Sequence, residues 1–186
     1  MAYEIEKRSL IASKSDFNKL KTHLQSNFKY LGTKHMKTFL FRTPSYLRIR
    51  LIKNEPEIVI THKSGDYYDP AREEIELELN KNQLSSFISL INHLGFKQCS
   101  CIRSERRSYR YNGLKIELNQ IEHLGMIVEI EAITTKKKEI SKLNRKVKNT
   151  MDSLNLKELK PAQYQRMLDK MYLKTLRSTS KQVFKV

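Results

Sequence analysis

Glu4, Glu6 and Arg8 lie two residues apart near the start of the sequence, so a β-strand over residues 2–12 would place all three on one face. Two carboxylates beside a guanidinium suit a divalent metal ion next to a bound anion. An ordinary amphipathic strand with a solvated charged face would give the same spacing. The site hypothesis gains weight because the same pattern recurs on later strands.

Charged and apolar residues alternate along most of the predicted strands. The charged or polar positions are Arg48 and Arg50, Lys63, Glu74, Glu76 and Glu78, Ser104, Arg106, Ser108 and Arg110, Lys115, Glu117 and Asn119, and Glu129 and Glu131. An open antiparallel sheet with one wet side would show the same alternation. The predicted helices have apolar faces that need sheet to cover, so we expect them on the apolar sheet face. If the sheet closes, the charged face becomes a lumen.

The elements that must position these residues are eight strands and four helices. The strands are predicted over 2–12, 34–42, 46–53, 57–63, 70–79, 97–111, 114–119 and 124–133, and the helices over 16–28, 81–94, 136–151 and 162–176. Asn112-Gly113 is a strong hairpin signal between two of the strands. An antiparallel sheet of this strand number either splits into a sandwich or closes into a barrel.

The composition indicates a soluble globular domain, since 39% of the 186 residues are hydrophobic and 30% are charged. No apolar run reaches the length of a transmembrane helix, so no membrane partner is expected. The sequence opens into a charged strand rather than a secretory signal, and the cytoplasm is the expected location. The net charge of +16 is concentrated in residues 133–186, which hold fifteen Lys/Arg against four Asp/Glu and suggest a polyanionic partner.

Six motifs between residue 2 and about residue 133 resemble the CYTH superfamily, also called triphosphate tunnel metalloenzymes. They are Glu4-Ile5-Glu6-Lys7-Arg8, Tyr46-Leu47-Arg48-Ile49-Arg50, Thr61-His62-Lys63-Ser64-Gly65, Arg72-Glu73-Glu74-Ile75-Glu76, Arg106-Arg107-Ser108-Tyr109 and Leu124-Gly125-Met126-Ile127-Val128-Glu129-Ile130-Glu131. This superfamily includes class IV adenylyl cyclases, thiamine triphosphatases and inorganic triphosphatases.

The resemblance implies an α+β fold in which eight antiparallel strands close into a β-barrel, a tunnel with a charged lumen, covered by surrounding helices. Residues 1–133 would form this barrel with two inserted helices. Residues 134–176 would form basic helices packed on the same domain, and residues 177–186 a tail.

The resemblance also implies roles for individual residues. The candidate ligands for Mg²⁺ or Mn²⁺ are Glu4, Glu6, Glu129 and Glu131, with Asn119 as a further candidate. The candidate triphosphate-binding residues are Arg8, Arg48, Arg50, Lys63 and Arg106. The acidic tunnel wall would contain Glu74, Glu76 and Glu117. Catalysis is expected to depend on Glu4, Glu6, Arg8 and Lys63.

Three positions depart from the motifs of the superfamily. Arg8 stands where a Lys is usual, Ser104 where a second basic residue is usual, and Asn119 where an Asp is usual. A neutral amide binds Mg²⁺ less well than a carboxylate does. Asn119 therefore puts a two-metal mechanism in doubt and leaves a one-metal mechanism or reduced activity open.

We predict a metal-dependent triphosphatase acting on a small-molecule substrate such as inorganic tripolyphosphate, a nucleoside triphosphate or thiamine triphosphate. A class IV adenylyl cyclase that converts ATP to cyclic AMP and pyrophosphate is the alternative. Both activities require the same binding of the triphosphate, so the motifs do not choose between them. A noncatalytic polyphosphate- or RNA-binding protein is a further alternative that rests on the basic helices with Tyr164 and Tyr172; nucleic acid is the less favoured partner. Core packing is the competing interpretation of these tyrosines, and either a monomer or a homodimer fits the sequence.

Overall fold

The computed structural model describes residues 3–42, 45–63 and 74–178. In these residues eight strands form an antiparallel sheet accompanied by four helices, which confirms the predicted α+β class. The strands are β1 (Tyr3–Ile11), β2 (Lys29–Phe41), β3 (Leu47–Ile52), β4 (Glu57–Lys63), β5 (Glu74–Asn80), β6 (Gln98–Tyr111), β7 (Leu114–Ile121) and β8 (Gly125–Thr134). The helices are α1 (Lys14–Asn27), α2 (Leu84–His93), α3 (Ile140–Ser153) and α4 (Pro161–Thr175). A short ninth strand, β9 (Leu176–Ser178), pairs with the start of β6 and was not predicted.

The strand order is β1-β8-β7-β6-β2-β3-β4-β5. This order has two ends, β1 and β5, in the part of the chain that the structure describes, so closure into a barrel stays a prediction. The strand predicted over 70–79 is described from Glu74 onward, and its first four residues lie outside the described residues. The strand predicted from residue 34 begins earlier, at Lys29, where the ring of Tyr30 packs against Tyr109 with centroids 5.5 Å apart.

The described residues fall into two compact units. The first unit holds the described residues of Met1–Lys34 and Glu105–Gln165, and the second holds those of His35–Ser104 and Arg166–Val186. Each unit contains its own cluster of buried apolar side chains. No helix in residues 3–42, 45–63 and 74–178 is both long and apolar enough to cross a membrane.

In the first unit, the apolar faces of β7 and β8 pack against α1 and α3. The buried residues of this core include Ile116, Leu118, Val128 and Ile130 of the sheet, Phe17 and Leu24 of α1, and Val147 and Met151 of α3. Helix α1 begins after Ser13, whose hydroxyl accepts a hydrogen bond from the Asp16 N–H at 3.0 Å and so satisfies a free donor of the first turn. Because the helices cover one sheet face, the charged positions of β7 and β8 are directed to the other face.

In the second unit, β2, β3 and β4 pack their apolar faces against α2. The buried residues of this core include Phe39 and Phe41, Ile49 and Leu51, Ile58 and Ile60, and Leu84, Ile88 and Ile91 of α2. Asn80 and Gln83 form a reciprocal capping box just before α2, which fixes where this helix starts. The alternate positions of β3, including Arg48 and Arg50, therefore face away from this core.

Candidate functional site

The strand register of the first unit aligns charged side chains from three strands in two rows. Glu6 of β1 lies opposite Glu131 of β8, which in turn lies opposite Lys115 of β7. The second row, in the same strand order, is Arg8, Glu129 and Glu117. Directly opposed residues of antiparallel strands point to the same face, so all six share one face of the sheet. These six residues are called the charged rows below.

Arg8 bridges two carboxylates of the charged rows. Its Nε donates a hydrogen bond to Glu129 Oε1 at 2.8 Å, and its Nη2 forms an ion pair with Glu6 Oε2. The contact with Glu129 follows from direct opposition across the β1–β8 pair, and the contact with Glu6 follows from the two-residue spacing. A single guanidinium therefore serves two carboxylates.

The pKa values of the two carboxylates shift in opposite directions, although Arg8 acts to lower both. Burial and the negative charge of Glu129 raise the pKa of Glu6 well above its ordinary value, although Arg8 opposes this shift. Burial also acts to raise the pKa of Glu129, but Arg8 and Arg106 outweigh it and bring that pKa down to about 2. The pair thus holds more negative charge than Arg8 alone neutralises, and Glu6 is the carboxyl group at which a further cation or a proton is favoured.

Arg106 of β6 extends this network to Asn119 and Glu117. Its Nε donates to Asn119 Oδ1 at 2.9 Å, and its Nη1 pairs with Glu117 Oε2 at 2.8 Å. The Asn119 amide in turn donates from Nδ2 to Glu129 Oε2 at 2.8 Å. Glu117, Asn119 and Glu129 are all buried, so these charges lie in a region of low dielectric constant, where each contact is stronger than in water.

Lys115 completes the charged rows on the β7 side. Its ammonium group lies 2.6 Å from Glu117 Oε1 and 2.9 Å from Glu131 Oε1. Burial acts to lower the pKa of Lys115, but the two carboxylates outweigh it and the pKa is raised. Burial, with the charge of Glu117, raises the pKa of Glu131 even though Lys115 opposes the shift. Of the two predicted ligands on β8, Glu131 is therefore held by a lysine and Glu129 by arginines.

The donor chemistry of the first unit fits a hard divalent cation at Glu6 and Glu129. Carboxylate oxygens are the ligands that Mg²⁺ and Mn²⁺ prefer. Two carboxylates share the single guanidinium of Arg8, and this excess of negative charge adds to burial, the largest cause, in raising the pKa of Glu6. Glu4 adds to this excess, because its charge also raises the pKa of Glu6, but its own side chain is exposed. Among the described residues, no three His, Cys, Asp or Glu side chains are already gathered around one metal position.

The second unit carries a separate polar row across β3, β4 and β5. Arg48 lies opposite Thr61, and Thr61 lies opposite Glu76. Arg48 Nη2 donates to Thr61 Oγ1 at 3.3 Å, and the same hydroxyl donates to Glu76 Oε1 at 3.1 Å. The next row along the sheet pairs Arg50 with Val59, and Val59 with Glu78. The predicted cationic strand β3 and the acidic strand β5 are thus linked through β4.

Two predicted site residues, Lys63 and Glu74, are described by their backbone alone. Lys63 and Glu74 are partners in the β4–β5 register. The side chains of both lie outside the described part of the chain, as do Ser64-Gly65 and Arg72-Glu73 of the two corresponding motifs. Their roles in binding the triphosphate and in the acidic wall stay predictions.

Two residues of the first unit that were not among the predicted metal, triphosphate-binding, acidic-wall or catalytic residues contact predicted ones. Lys115 pairs with Glu117 and Glu131, and its place in the alternation of β7 was a signal that it shares their face. Tyr164 of α4 lies over Arg8, with Arg8 Cζ 4.6 Å from the ring centroid. The sequence left Tyr164 open as either a polyanion-binding residue or a core residue, and the side chain is buried.

The comparison with protein families decides the classification. A family model for the CYTH domain matches residues 2–163, which is most of the chain. The chain belongs to the CYTH domain family. This CYTH protein is 28% identical over 144 residues to a Methanocaldococcus jannaschii protein named "Putative adenylate cyclase MJ0240", and the match covers 72% of this chain and 77% of that protein.

Two solved structures share the fold of this CYTH protein. PH1819 from Pyrococcus horikoshii superposes with a TM-score of 0.75 at 21% identity, covering 90% of this chain and 99% of that one. HpAC1 from Hippeastrum, described as a "putative adenylyl cyclase" with a dominant triphosphatase activity, gives a TM-score of 0.58 at 24% identity, covering 85% and 90%. At these identities the likeness establishes the fold alone.

Proposed function

We propose that this CYTH protein is a metal-dependent triphosphatase that hydrolyses a triphosphate-containing substrate at the charged rows. The observation that supports the proposal is the bridge of Arg8 between Glu6 and Glu129, with Arg106 on the far side of Glu129. Carboxylates for a cation and guanidinium groups for phosphate oxygens are in direct contact there. A linear triphosphate carries the negative charge that such a mixed site would bind, provided that a cation accompanies it.

Glu6 and Glu129 are the residues that would hold the divalent ion, with Glu4 and Glu131 beside them in the β1–β8 register. When bound, Mg²⁺ or Mn²⁺ would neutralise phosphate charge and lower the pKa of a water molecule. Arg8 and Arg106 present planar groups of N–H donors that match phosphate oxygens, and their charge would stabilise the charge that develops on the transferred phosphoryl group. Asn119 contributes no charge, which favours a one-metal arrangement over a two-metal one.

Arg48, Arg50 and Lys63 keep the triphosphate-binding role that the CYTH motifs imply, as a proposal to be tested separately from the first unit. The register that places Arg48 beside Thr61 supports the proposal for this residue, because Thr61 and Glu76 fix the position of its guanidinium.

Class IV adenylyl cyclase activity is the alternative within the same family. It draws support from the name of the M. jannaschii relative, whereas the Hippeastrum protein is described by its triphosphatase activity. Proteins that share this fold therefore carry both names, and the fold does not choose between the two reactions. Product analysis does: hydrolysis releases orthophosphate, and cyclisation of ATP releases pyrophosphate with cyclic AMP.

The deciding experiment measures turnover of tripolyphosphate, ATP and thiamine triphosphate with Mg²⁺ or Mn²⁺, with the products separated by chromatography. We expect metal-dependent orthophosphate release, reduced about a hundredfold or more in Glu6→Gln and in Glu129→Gln because each removes a charge that would hold the cation. Glu122→Gln, which changes an exposed carboxylate in the β7–β8 turn, is the matched control and should keep full activity. Metal-independent turnover, or full activity in both variants, would refute the assignment.

A second candidate function, binding of single-stranded RNA, is supported by a basic groove between the β6–β7 turn and α3. The groove has a volume of about 470 Å³, and its lining includes Lys142, Arg145 and Lys146 together with Tyr111 and Asn149. The ring of Tyr111 is stacked on Phe28 with centroids 4.3 Å apart. Cations beside an oriented aromatic ring are the combination that single-stranded nucleic acid binds.

This second function is tested by fluorescence anisotropy with a single-stranded oligoribonucleotide in EDTA. Replacing Lys142, Arg145 and Lys146 with Gln should weaken binding about tenfold or more and reduce its salt dependence. Replacing the exposed Lys14, Lys157 and Lys170 with Gln removes the same charge elsewhere and should weaken binding less. Equal losses in the two triple variants would show that net charge, and not the groove, attracts the RNA.

A further inference from the structure

Tyr164 covers the guanidinium group of Arg8 from the side of α4. Arg8 Cζ lies 4.6 Å from the ring centroid, within the range of a cation–π contact, and the ring is only 9% exposed. Arg8 is also the residue that bridges Glu6 and Glu129. The aromatic ring therefore contacts the central cation of the proposed site, although Tyr164 lies just beyond residues 2–163, which the family model matches.

The backbone around Tyr164 is attached to the strand that carries Arg8. The N–H of Leu159 donates to the carbonyl oxygen of Arg8 at 2.7 Å. The backbones of Glu158 and Ser9 form an isolated antiparallel β-bridge. The ammonium group of Lys7 lies 2.6 Å from Glu158 Oε1. We call residues 158–164 the strap. Because the strap is bonded to β1 at and beside Arg8, the ring that ends the strap has a fixed position relative to that side chain.

A ring in this position restricts Arg8 without occupying its hydrogen bonds. With the ring centroid 4.6 Å from Cζ, the Nε and Nη2 donors of Arg8 still bond Glu129 and Glu6. An aromatic ring that stacks on a guanidinium does not use the N–H donors, which lie in the guanidinium plane. An arginine side chain otherwise has several rotatable bonds, and ordering it has an entropic cost. A ring that removes this freedom before the substrate arrives lowers the cost of binding.

We propose that Tyr164 is a positioning residue that holds the Arg8 guanidinium in the orientation needed to bind the triphosphate. This inference rests on the proposed function of the charged rows. Tyr164 acts through its ring, so Tyr164→Phe keeps the effect and Tyr164→Leu, which fills a similar apolar space without a π face, loses it.

The geometry is tested first, independently of any activity, by NMR of the arginine Nε–H groups. The Arg8 signal, identified by its absence in Arg8→Lys, should show a ring-current shift in the wild-type protein and in Tyr164→Phe. In Tyr164→Leu the shift should disappear while the other arginine signals stay in place. An Arg8 signal that does not respond to Tyr164→Leu would overturn the inference.

The role in binding is tested by calorimetry with Mn²⁺ and imidotriphosphate, a tripolyphosphate analogue whose P–N–P bridges resist hydrolysis, and the turnover of tripolyphosphate is measured alongside. Tyr164→Leu should weaken binding and raise KM about threefold to thirtyfold, the range that a partly buried cation–π contact supports, with a smaller change in kcat. Tyr164→Phe should stay within about twofold of the wild type. In an Arg8→Gln background, Tyr164→Leu should have no further effect, because the side chain it positions is gone.

A matched control exists in the second unit, where Tyr172 covers Arg42 with the same 4.6 Å separation. Tyr172→Leu removes an equivalent contact from a residue with no proposed role in binding, and should leave triphosphate affinity unchanged. If the wild-type protein shows no Mn²⁺-dependent binding of the triphosphate, the proposed function of the charged rows fails. If it binds and Tyr164→Leu binds equally well, the function stands and the role of Tyr164 is refuted.

Discussion

At the scale of single residues, the contacts of Asn119 show how the first unit accommodates an Asn where the CYTH motif usually has an Asp. Its Oδ1 accepts from Arg106, and its Nδ2 donates to Glu129. A carboxylate at this position would accept from Arg106 equally well, but it has no proton to donate to Glu129. The amide thus joins a cation and an anion inside a buried network, where a second carboxylate would face Glu129 directly.

Replacing Asn119 with Asp should therefore lower the stability of the folded protein and raise its affinity for a metal ion. Asn119→Asp should lower the stability of the metal-free protein by about 1–3 kcal/mol, because a hydrogen bond to Glu129 is replaced by repulsion between buried carboxylates. The same change should strengthen Mn²⁺ binding by adding an anionic ligand. Thermal unfolding in EDTA and in excess Mn²⁺ measures both effects.

Asn18→Asp, at an exposed position of α1, is the control for adding one negative charge and should change neither value appreciably. An Asn119→Asp protein as stable in EDTA as the wild type would show that the Asn119–Glu129 hydrogen bond contributes nothing. Unchanged Mn²⁺ affinity would show that position 119 does not reach the ion.

The sequence predicts which residues are charged on a common face, but it does not predict their partners. Glu6 and Arg8 were placed together because alternation along a strand is a local property. The pairing of Arg8 with Glu129 depends on the register of β1 against β8, and a shift of one residue would send every charge to the other face. The contact of Tyr164 with Arg8 depends on the path of the strap, which no local pattern encodes.

At the scale of elements, the β6–β7 hairpin turn is a feature that the local sequence Asn112-Gly113 predicts by itself. Asn112 and Gly113 have φ values of 48° and 74°, the left-handed conformations that a tight hairpin with two such residues requires. This turn brings Arg106 on β6 alongside the β7 residues Glu117 and Asn119. Lys146 of α3 also contacts the Asn112 carbonyl oxygen, so the turn is held from the helix side as well.

Gly113→Ala should destabilise the protein by about 1 kcal/mol, because a side chain at this φ is strained even though its Cβ would make only an ordinary contact, at 3.9 Å, with Lys146 Nζ. Urea unfolding measures the loss. Asn112→Gly, which permits the same left-handed conformation, is the control and should cost less. A Gly113→Ala protein of wild-type stability would mean that the turn relaxes to another conformation.

At the scale of the whole molecule, two sources of anion affinity must be separated. The net charge of +16 attracts any polyanion, and this attraction weakens as salt screens it. The charged rows combine cations with carboxylates, so affinity there depends on a divalent ion as well. A polyanion that binds only through net charge should be indifferent to Mn²⁺, whereas a triphosphate bound at the charged rows should not.

Thermal shifts of the whole protein distinguish these two sources. Mn²⁺ alone should raise the Tm of the wild-type protein, since a ligand at a hundred times its Kd adds about 2.7 kcal/mol to the stability of the folded state. The double variant Glu6→Gln/Glu129→Gln should lose this shift but keep a salt-sensitive shift with tripolyphosphate, because its basic surface is intact. Glu122→Gln should respond to both ligands as the wild type does. An equal Mn²⁺ shift in the double variant would place the ion elsewhere, and the proposed catalytic role of the charged rows would fall with it.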